Sequence, residues 1–277
     1  MSRNGAQGVI ERIMPRRSLL YRSDAYREKL IAANVTQIIV VVAAEPSFSD
    51  ELLARCLVAA FDQKLEALIV LNKCDLSAAA DAARKRLAPY LAIGCRVLEL
   101  SATQDASALR PFLRGHTSVL VGQSGMGKST LINALLPDAQ AVTREISAVL
   151  DSGKHTTTHA RMYRIDEGAA ATRHLEAADC ESSSRTPLQH QEASPHRVGA
   201  SNLIDCPGVQ AFGLHHLSFG AIEQGFVEFA PYLGKCRFHD CRHVQEPGCA
   251  LRDAVSRGKI DARRLELFQQ IAAKRSG

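Results

Sequence analysis

No apolar run in these 277 residues exceeds seven positions (residues 38–44). A bilayer-spanning helix needs roughly 20, so no transmembrane segment is expected. A charged-then-apolar leader is lacking at the start, which argues against secretion and for a cytoplasmic location. Internal repeats are lacking as well. So is a strong charge of one sign: 34 Lys+Arg against 29 Asp+Glu leave a net +5. That excess is unevenly placed, with +4 in residues 1–30, −4 over the next 200 and +5 in residues 231–277. Basic ends can hold a polyanion, which makes RNA a candidate partner, with solvated Arg on surface helices as the alternative. The length suits one large domain or two modest ones, and with 46% hydrophobic residues the core can be substantial. Eight cysteines in a cytosolic chain point to metal or chance rather than to disulfides. Cys56, Cys74, Cys95, Cys180 and Cys206 are scattered, whereas Cys236, Cys241 and Cys249 crowd into fourteen residues.

From Gln37 onward, short apolar runs alternate with helical stretches. QIIVVVAA (37–44) and ALIVLNKCD (67–75) read as strands buried on both faces. RVLELSA (96–102), TSVLVG (117–122) and NLI (202–204) read as further strands. Ser49 and Asp50 can cap a helix through LLARCLVAAF, and an Ala- and Arg-rich helix follows near 78–92. Strand and helix alternating at this spacing predict an α/β fold with a doubly wound, mostly parallel sheet. Residues 166–200 carry almost no apolar periodicity and are expected to form a mobile insertion. After Pro231 the chain turns Cys-, His- and Arg-rich, then helical at 250–257 and 261–275. The expected division is therefore 1–24, 25–230 and a small module at 231–277.

Gly122-Gln123-Ser124-Gly125-Met126-Gly127-Lys128-Ser129 fits G-x-x-x-x-G-K-[ST] between a predicted strand and a helix opening at Thr130. Glycines let the loop aim its backbone N–H groups at phosphate oxygens, and the helix N-terminus adds a favourable dipole. Lys128 is expected on the β- and γ-phosphates and the Ser129 hydroxyl on Mg²⁺. Asn72-Lys73-Cys74-Asp75 follows the second strand. A carboxylate at Asp75 can accept two N–H bonds from guanine, a pair that adenine does not offer. Ser101 and Ala102 are placed to meet the guanine carbonyl through backbone N–H. Together these elements select GTP. Asp205-Cys206-Pro207-Gly208 matches D-x-x-G, in which Asp holds Mg²⁺ through water and Gly senses the γ-phosphate. Gly153-Lys154-His155-Thr156-Thr157-Thr158 lies between, and Thr156 or Thr157 can complete the metal's coordination. The guanine-reading element precedes the phosphate loop, the reverse of the Ras-like order. The sheet tolerates this permutation because every element still ends a strand on the same side. It also hangs the C-terminal module directly on the segment after Gly208.

The remaining motif is Cys236-x4-Cys241-x-His243-x5-Cys249. Three thiolates and an imidazole make a closed tetrahedral shell suited to one structural Zn²⁺. His239 lies in the same stretch and could stand in for His243.

Permuted order, GQSGMGKST, GKHTTT, DCPG and the Cys/Cys-His/Cys tail together resemble the ribosome small-subunit-dependent GTPase A (RsgA, also called YjeQ) family, over about residues 8–277 apart from the insertion. The resemblance implies a GTPase acting late in assembly of the 30S subunit on 16S rRNA, stimulated by that subunit. It favours His243 as the fourth ligand and implies an RNA-binding OB barrel ahead of the GTPase. Only GVIERIMPRRSLLYRSD (8–24) looks like part of such a five-stranded barrel.

Val209 stands where Ras-type enzymes place a water-orienting Gln. Slow intrinsic hydrolysis is therefore expected, with water positioned by a partner or by His155, to which the resemblance also points. Arg237, Arg242 and Arg252 are candidate phosphate contacts, and a monomer is expected. A second reading is a GTP-binding RNA-interaction module whose ribosome-stimulated turnover is impaired. An ATP-using kinase is disfavoured by Asp75.

Overall fold

The computed structural model describes residues 2–4, 7–9, 13, 15–24, 27–139, 160–165, 200–206 and 213–274. His155, Thr156, Thr157, Gly208, Val209, Cys180 and residues 166–199 lie outside the described residues.

Ten strands are described: β1 (Ser2–Asn4), β2 (Gln7–Val9), β3 (Leu19–Asp24), β4 (Arg27–Ala33), β5 (Gln37–Ala43), β6 (Glu66–Asn72), β7 (Arg96–Glu99), β8 (Thr117–Val121), β9 (Arg161–Ile165) and β10 (Ser201–Asp205). Six of them build one sheet in the order β7-β6-β5-β8-β10-β9. Its pairs are parallel except that β9 runs antiparallel to β10. All seven residues of β5 are buried, because helices cover both faces of a strand that is nearly all Ile and Val. The chain winds from β5 to β6 and β7 on one side, then returns through β8 and β10 on the other. The order therefore reverses between β5 and β8, which pair from Gln37↔Ser118 to Val40↔Val121. Such a switch point, at the carboxyl ends of the strands, is where open α/β sheets form ligand sites.

Helix α1 (Asp50–Asp62) crosses from β5 to β6, and its N-cap is the expected Ser49, whose Oγ accepts the Leu52 N–H at 3.2 Å. Helix α2 (Ser77–Ala92) joins β6 to β7. A short α3 (Arg110–Leu113) precedes β8, and α4 (Lys128–Leu135) follows it. No described helix is long and apolar enough to cross a membrane.

The segment expected to end at residue 24 is one arm of a hairpin. Leu19–Asp24 pairs antiparallel with Arg27–Ala33, so its partner strand lies just past that expected end. The charged start of REKLIAA hides this strand in the sequence. β1 and β2 form a separate two-stranded ladder.

Beyond the sheet come α5 (Phe219–Gln224), a 3-10 turn at Val227–Tyr232, α6 (Ala250–Ser256) and α7 (Ala262–Ala273). Phe226, Phe229 and Phe268 pack ring against ring at 5.1–5.5 Å, so residues on both sides of 231 share one core. Arg264, 3% exposed, lies against the rings of Tyr90 in α2 and Phe226 and pairs with Glu228 at 2.6 Å. A Cβ on Gly225 would press into Val58 of α1. The C-terminal module is thus packed on α1 and α2.

Candidate functional site

Asn72, 2% exposed, ends β6 and uses both ends of its amide on protein partners. Its Oδ1 accepts the Lys73 N–H (2.8 Å) and the Ala102 N–H (2.9 Å), and its Nδ2 donates to the Met126 carbonyl (3.0 Å). One buried side chain therefore joins three segments that lie up to 54 residues apart in sequence. Lys73 adopts a left-handed φ of 63° beside it. The Ser101 hydroxyl accepts the Asp75 N–H at 2.9 Å and donates to Asp75 Oδ1 at 2.6 Å. This bond orients the Asp75 carboxylate and leaves Oδ2 free of that constraint. Cys74 donates its N–H to the Leu100 carbonyl, tying the motif to the strand-end segment that carries Ser101.

The phosphate loop starts where β8 ends. Gly122 (φ 151°) has no room for a side chain, because a Cβ would run into the Val41 carbonyl. Gly127 (φ 89°) is blocked in the same way by Asn72 Nδ2, so the brace that holds the loop also dictates a glycine within it. Gly127 caps α4, whose first turn carries Lys128, Ser129 and Thr130. Lys128 Nζ donates to the carbonyls of Gly122 (2.6 Å) and Gln123 (2.9 Å). Met126 is buried under the loop and Ser124 is exposed. Asp205 ends β10 alongside β8, with Asp205 opposite Leu120.

Lys128 and Asp205 are close enough to act on each other's protons. Burial lowers the Lys128 ammonium's proton affinity, and the charge of Asp205 opposes that shift. Burial likewise raises the Asp205 carboxyl, opposed by Lys128. Cys206 is pushed up to about 12 by burial and then by Asp205, so it is a neutral thiol. A half-buried cation and a half-buried carboxylate at the carboxyl ends of β8 and β10 suit a ligand that brings both phosphates and a cation.

The second centre is a tight cluster. The ligand atoms of Cys236, Cys241, His243 and Cys249 all lie within 4.8 Å of one another. Zn–S bonds of about 2.3 Å set tetrahedral edges of roughly 3.8 Å, so the donors are spaced as the ion requires. His243 Nδ1 faces the thiols of Cys249 (3.3 Å) and Cys236 (3.5 Å). Its Nε2 meets Glu223 Oε1 at 2.6 Å. A carboxylate on the far nitrogen fixes the imidazole so that Nδ1 is the metal-facing atom. His239 is exposed and not part of the cluster. Glu223, twenty residues before its partner, carries no sequence signal as a support for His243. An acidic residue on a helix just before a Cys/His cluster is the only available hint.

These elements define a phosphate-loop nucleotide-binding α/β protein with its N-K-x-D element ahead of the loop, joined to a Cys3His module. A model of the RsgA GTPase family matches residues 13–172, and one described as 50S ribosome-binding GTPase matches residues 117–230. The small ribosomal subunit biogenesis GTPase RsgA of Nitrosospira multiformis is 50% identical over 267 residues, covering 96% of this chain and 75% of that protein. Its counterpart from Burkholderia pseudomallei (strain 668) is 48% identical over 274 residues, covering 98% and 77%. YjeQ from Thermotoga maritima has a similar structure, with a TM-score of 0.67, 25% identity and coverage of 96% of this chain and 78% of that one. YloQ, described as a circularly permuted GTPase, shares the fold at a TM-score of 0.61 and 22% identity, covering 96% and 82%. The chain belongs to the RsgA GTPase family.

Proposed function

We propose that this protein binds GTP across the β5/β8 switch point, hydrolyses it to GDP and phosphate, and acts as a late biogenesis factor of the small ribosomal subunit. The observation that carries the nucleotide reading is the Asn72 brace, which ties Met126 in the phosphate loop to Ala102 beside the Ser101–Asp75 pair. That brace fixes the phosphate and base contacts relative to each other, and Asp75 selects guanine. Backbone N–H groups from Gly122 to Thr130 and the Lys128 ammonium hold the phosphates. The Ser129 hydroxyl and Asp205 would hold Mg²⁺ with GTP, joined by Thr156 or Thr157. That ion, when bound, spreads the charge developing on the phosphates. Gly208 senses the γ-phosphate and His155 positions the attacking water. His155→Ala assayed with small subunits tests the last role: unchanged stimulated turnover with intact GTP affinity would remove it.

Zn²⁺ is the ion the Cys3His donor set fits, in a structural role because all four positions are taken by protein. The working division keeps residues 25–230 as the GTPase, preceded by a barrel remnant at 1–24 and followed by the zinc module at 231–277. Arg237, Arg242 and Arg252 are the rRNA phosphate contacts of that module. Replacing all three should flatten the salt dependence of subunit binding. Turnover of radiolabelled GTP with and without purified 30S subunits tests the whole reading. Stimulation by 30S subunits supports it. GTP binding with no stimulation favours a GTP-binding RNA module instead.

A further inference from the structure

The Gln123 side chain does not point at the phosphate end of its own loop. Its Oε1 accepts the backbone N–H of Ser49 at 2.6 Å, across 74 residues of sequence. Ser49 is the N-cap of α1, so this bond fastens the phosphate loop to the first turn of that helix. The same turn faces the C-terminal module. Asp50 meets Arg263 at 3.6 Å, and Glu51 accepts from Lys274 Nζ at 2.7 and 2.8 Å. One turn further along the helix, Arg55 bonds Glu51 at 3.0 Å and holds its carboxylate in place. Val58 lies against Gly225, at the start of the aromatic core that carries α7.

We infer that Gln123 is a positioning residue that couples the phosphate loop to the zinc module through the N-terminus of α1. The inference rests on the reading of residues 122–129 as a GTP phosphate loop. The Gln123 carbonyl also accepts from Lys128 Nζ, so main chain and side chain of one residue touch both the phosphate-binding ammonium and α1. Any ligand that re-orients Lys128 acts on the residue that holds Ser49. A rigid helix then carries the displacement to Arg263 and Lys274, which rest on its first turn. Exposed ion pairs of this kind contribute little stability singly, so they suit a contact that adjusts rather than one that locks. The lock is the buried Arg264–Glu228 pair nearby. This route runs through α1 and is separate from the segment after Gly208.

Hydrogen–deuterium exchange on the full chain, with and without a non-hydrolysable GTP analogue, tests the coupling. In the parent protein the analogue should slow exchange in residues 49–55 and also in residues 262–274. Gln123→Ala should cut the analogue-dependent protection of 262–274 by about fivefold or more, the low end of measured coupling between sites. Gln123→Glu, which keeps an acceptor for the Ser49 N–H, should restore it. Arg263→Ala with Lys274→Ala alters only exposed side chains. It should leave protection at 49–55 and abolish its extension to 262–274. Full protection of 262–274 in Gln123→Ala, or in the Arg263/Lys274 variant, overturns the inference while leaving the GTP reading standing. Failure of the parent to bind the analogue at all overturns the GTP reading instead.

Discussion

The proposed guanine end of the nucleotide site and the Cys3His cluster reach the same precision by opposite means. At the guanine end, parallel strands deliver Asn72, Asp75 and Ser101 to one edge, and hydrogen bonds of 2.6–3.0 Å finish the alignment. The four cysteine and histidine donors sit in residues 236–249, which contain no helix or strand. His243 even adopts a left-handed φ of 62°. There the side-chain donors must organise the backbone, since no ladder does so. The comparison teaches where each site is vulnerable: the first to loss of a brace, the second to loss of an ion.

Ion removal should give the largest effect. Structural Zn²⁺ binding in small modules is worth about 10–16 kcal/mol at neutral pH and is inseparable from folding. Chelation, or Cys249→Ser, should abolish exchange protection across 236–249. The effect on GTP affinity should stay within the several-fold coupling carried through α1, because Asn72, Asp75 and Ser101 take no support from that loop. Parallel losses of GTP binding and loop protection would show that the two sites share one organisation.

The guanine brace is tested by two substitutions. Asp75→Asn replaces an acceptor carboxylate with a group that offers a donor to the guanine N–H pair. The preference for GTP over ATP should fall about 100-fold or more, read by competition binding. Ser101→Ala leaves the carboxylate but removes its 2.6 Å orienting bond, a loss of about 1 kcal/mol or roughly fivefold in affinity. Equal effects of the two substitutions would mean that Asp75 matters only through its contact with Ser101.

The difference in organisation also explains what could be read in advance. The phosphate loop, N-K-x-D and the Cys/His spacing are local, so the residue types and intervals sufficed. Parallel strands announced themselves as Ile/Val runs, and Ser49 as a cap. The Glu223–His243 contact, the Arg264–Glu228 pair and the Gln123–Ser49 bond join residues 20, 36 and 74 apart. Each involves a polar residue whose partner only the fold decides. β4 and β9 are not legible as strands because REKLIAA and RMYRI carry charges on partly exposed strands.

Arg264 should show a middle-sized effect. Arg264→Met leaves Glu228 buried without its partner, a cost of about 3–5 kcal/mol, whereas Arg264→Met with Glu228→Leu should recover most of it. Denaturant unfolding of the two variants checks this. If both lose the same stability, the rings of Tyr90 and Phe226 rather than the ion pair hold Arg264.

The smallest effect separates burial from charge within the nucleotide site. Burial raises the Asp205 carboxyl above its ordinary 3.8, and Lys128 only partly offsets that. The folded protein therefore holds this proton more tightly than the unfolded chain. As pH rises from 3.8 through the folded value, ionisation of Asp205 subtracts stability while creating the charge that a metal ion needs. Mg²⁺ affinity in the presence of GDP, followed by titration from about pH 3 to 8, should lose strength on acidification at a midpoint above 3.8. A midpoint at or below 3.8 would mean that the Lys128 charge outweighs burial. The phosphate end would then be tuned by its ion pair, as the guanine end is by its hydrogen bonds. A midpoint above it leaves the two ends of one site under different physical control, with desolvation governing the metal side.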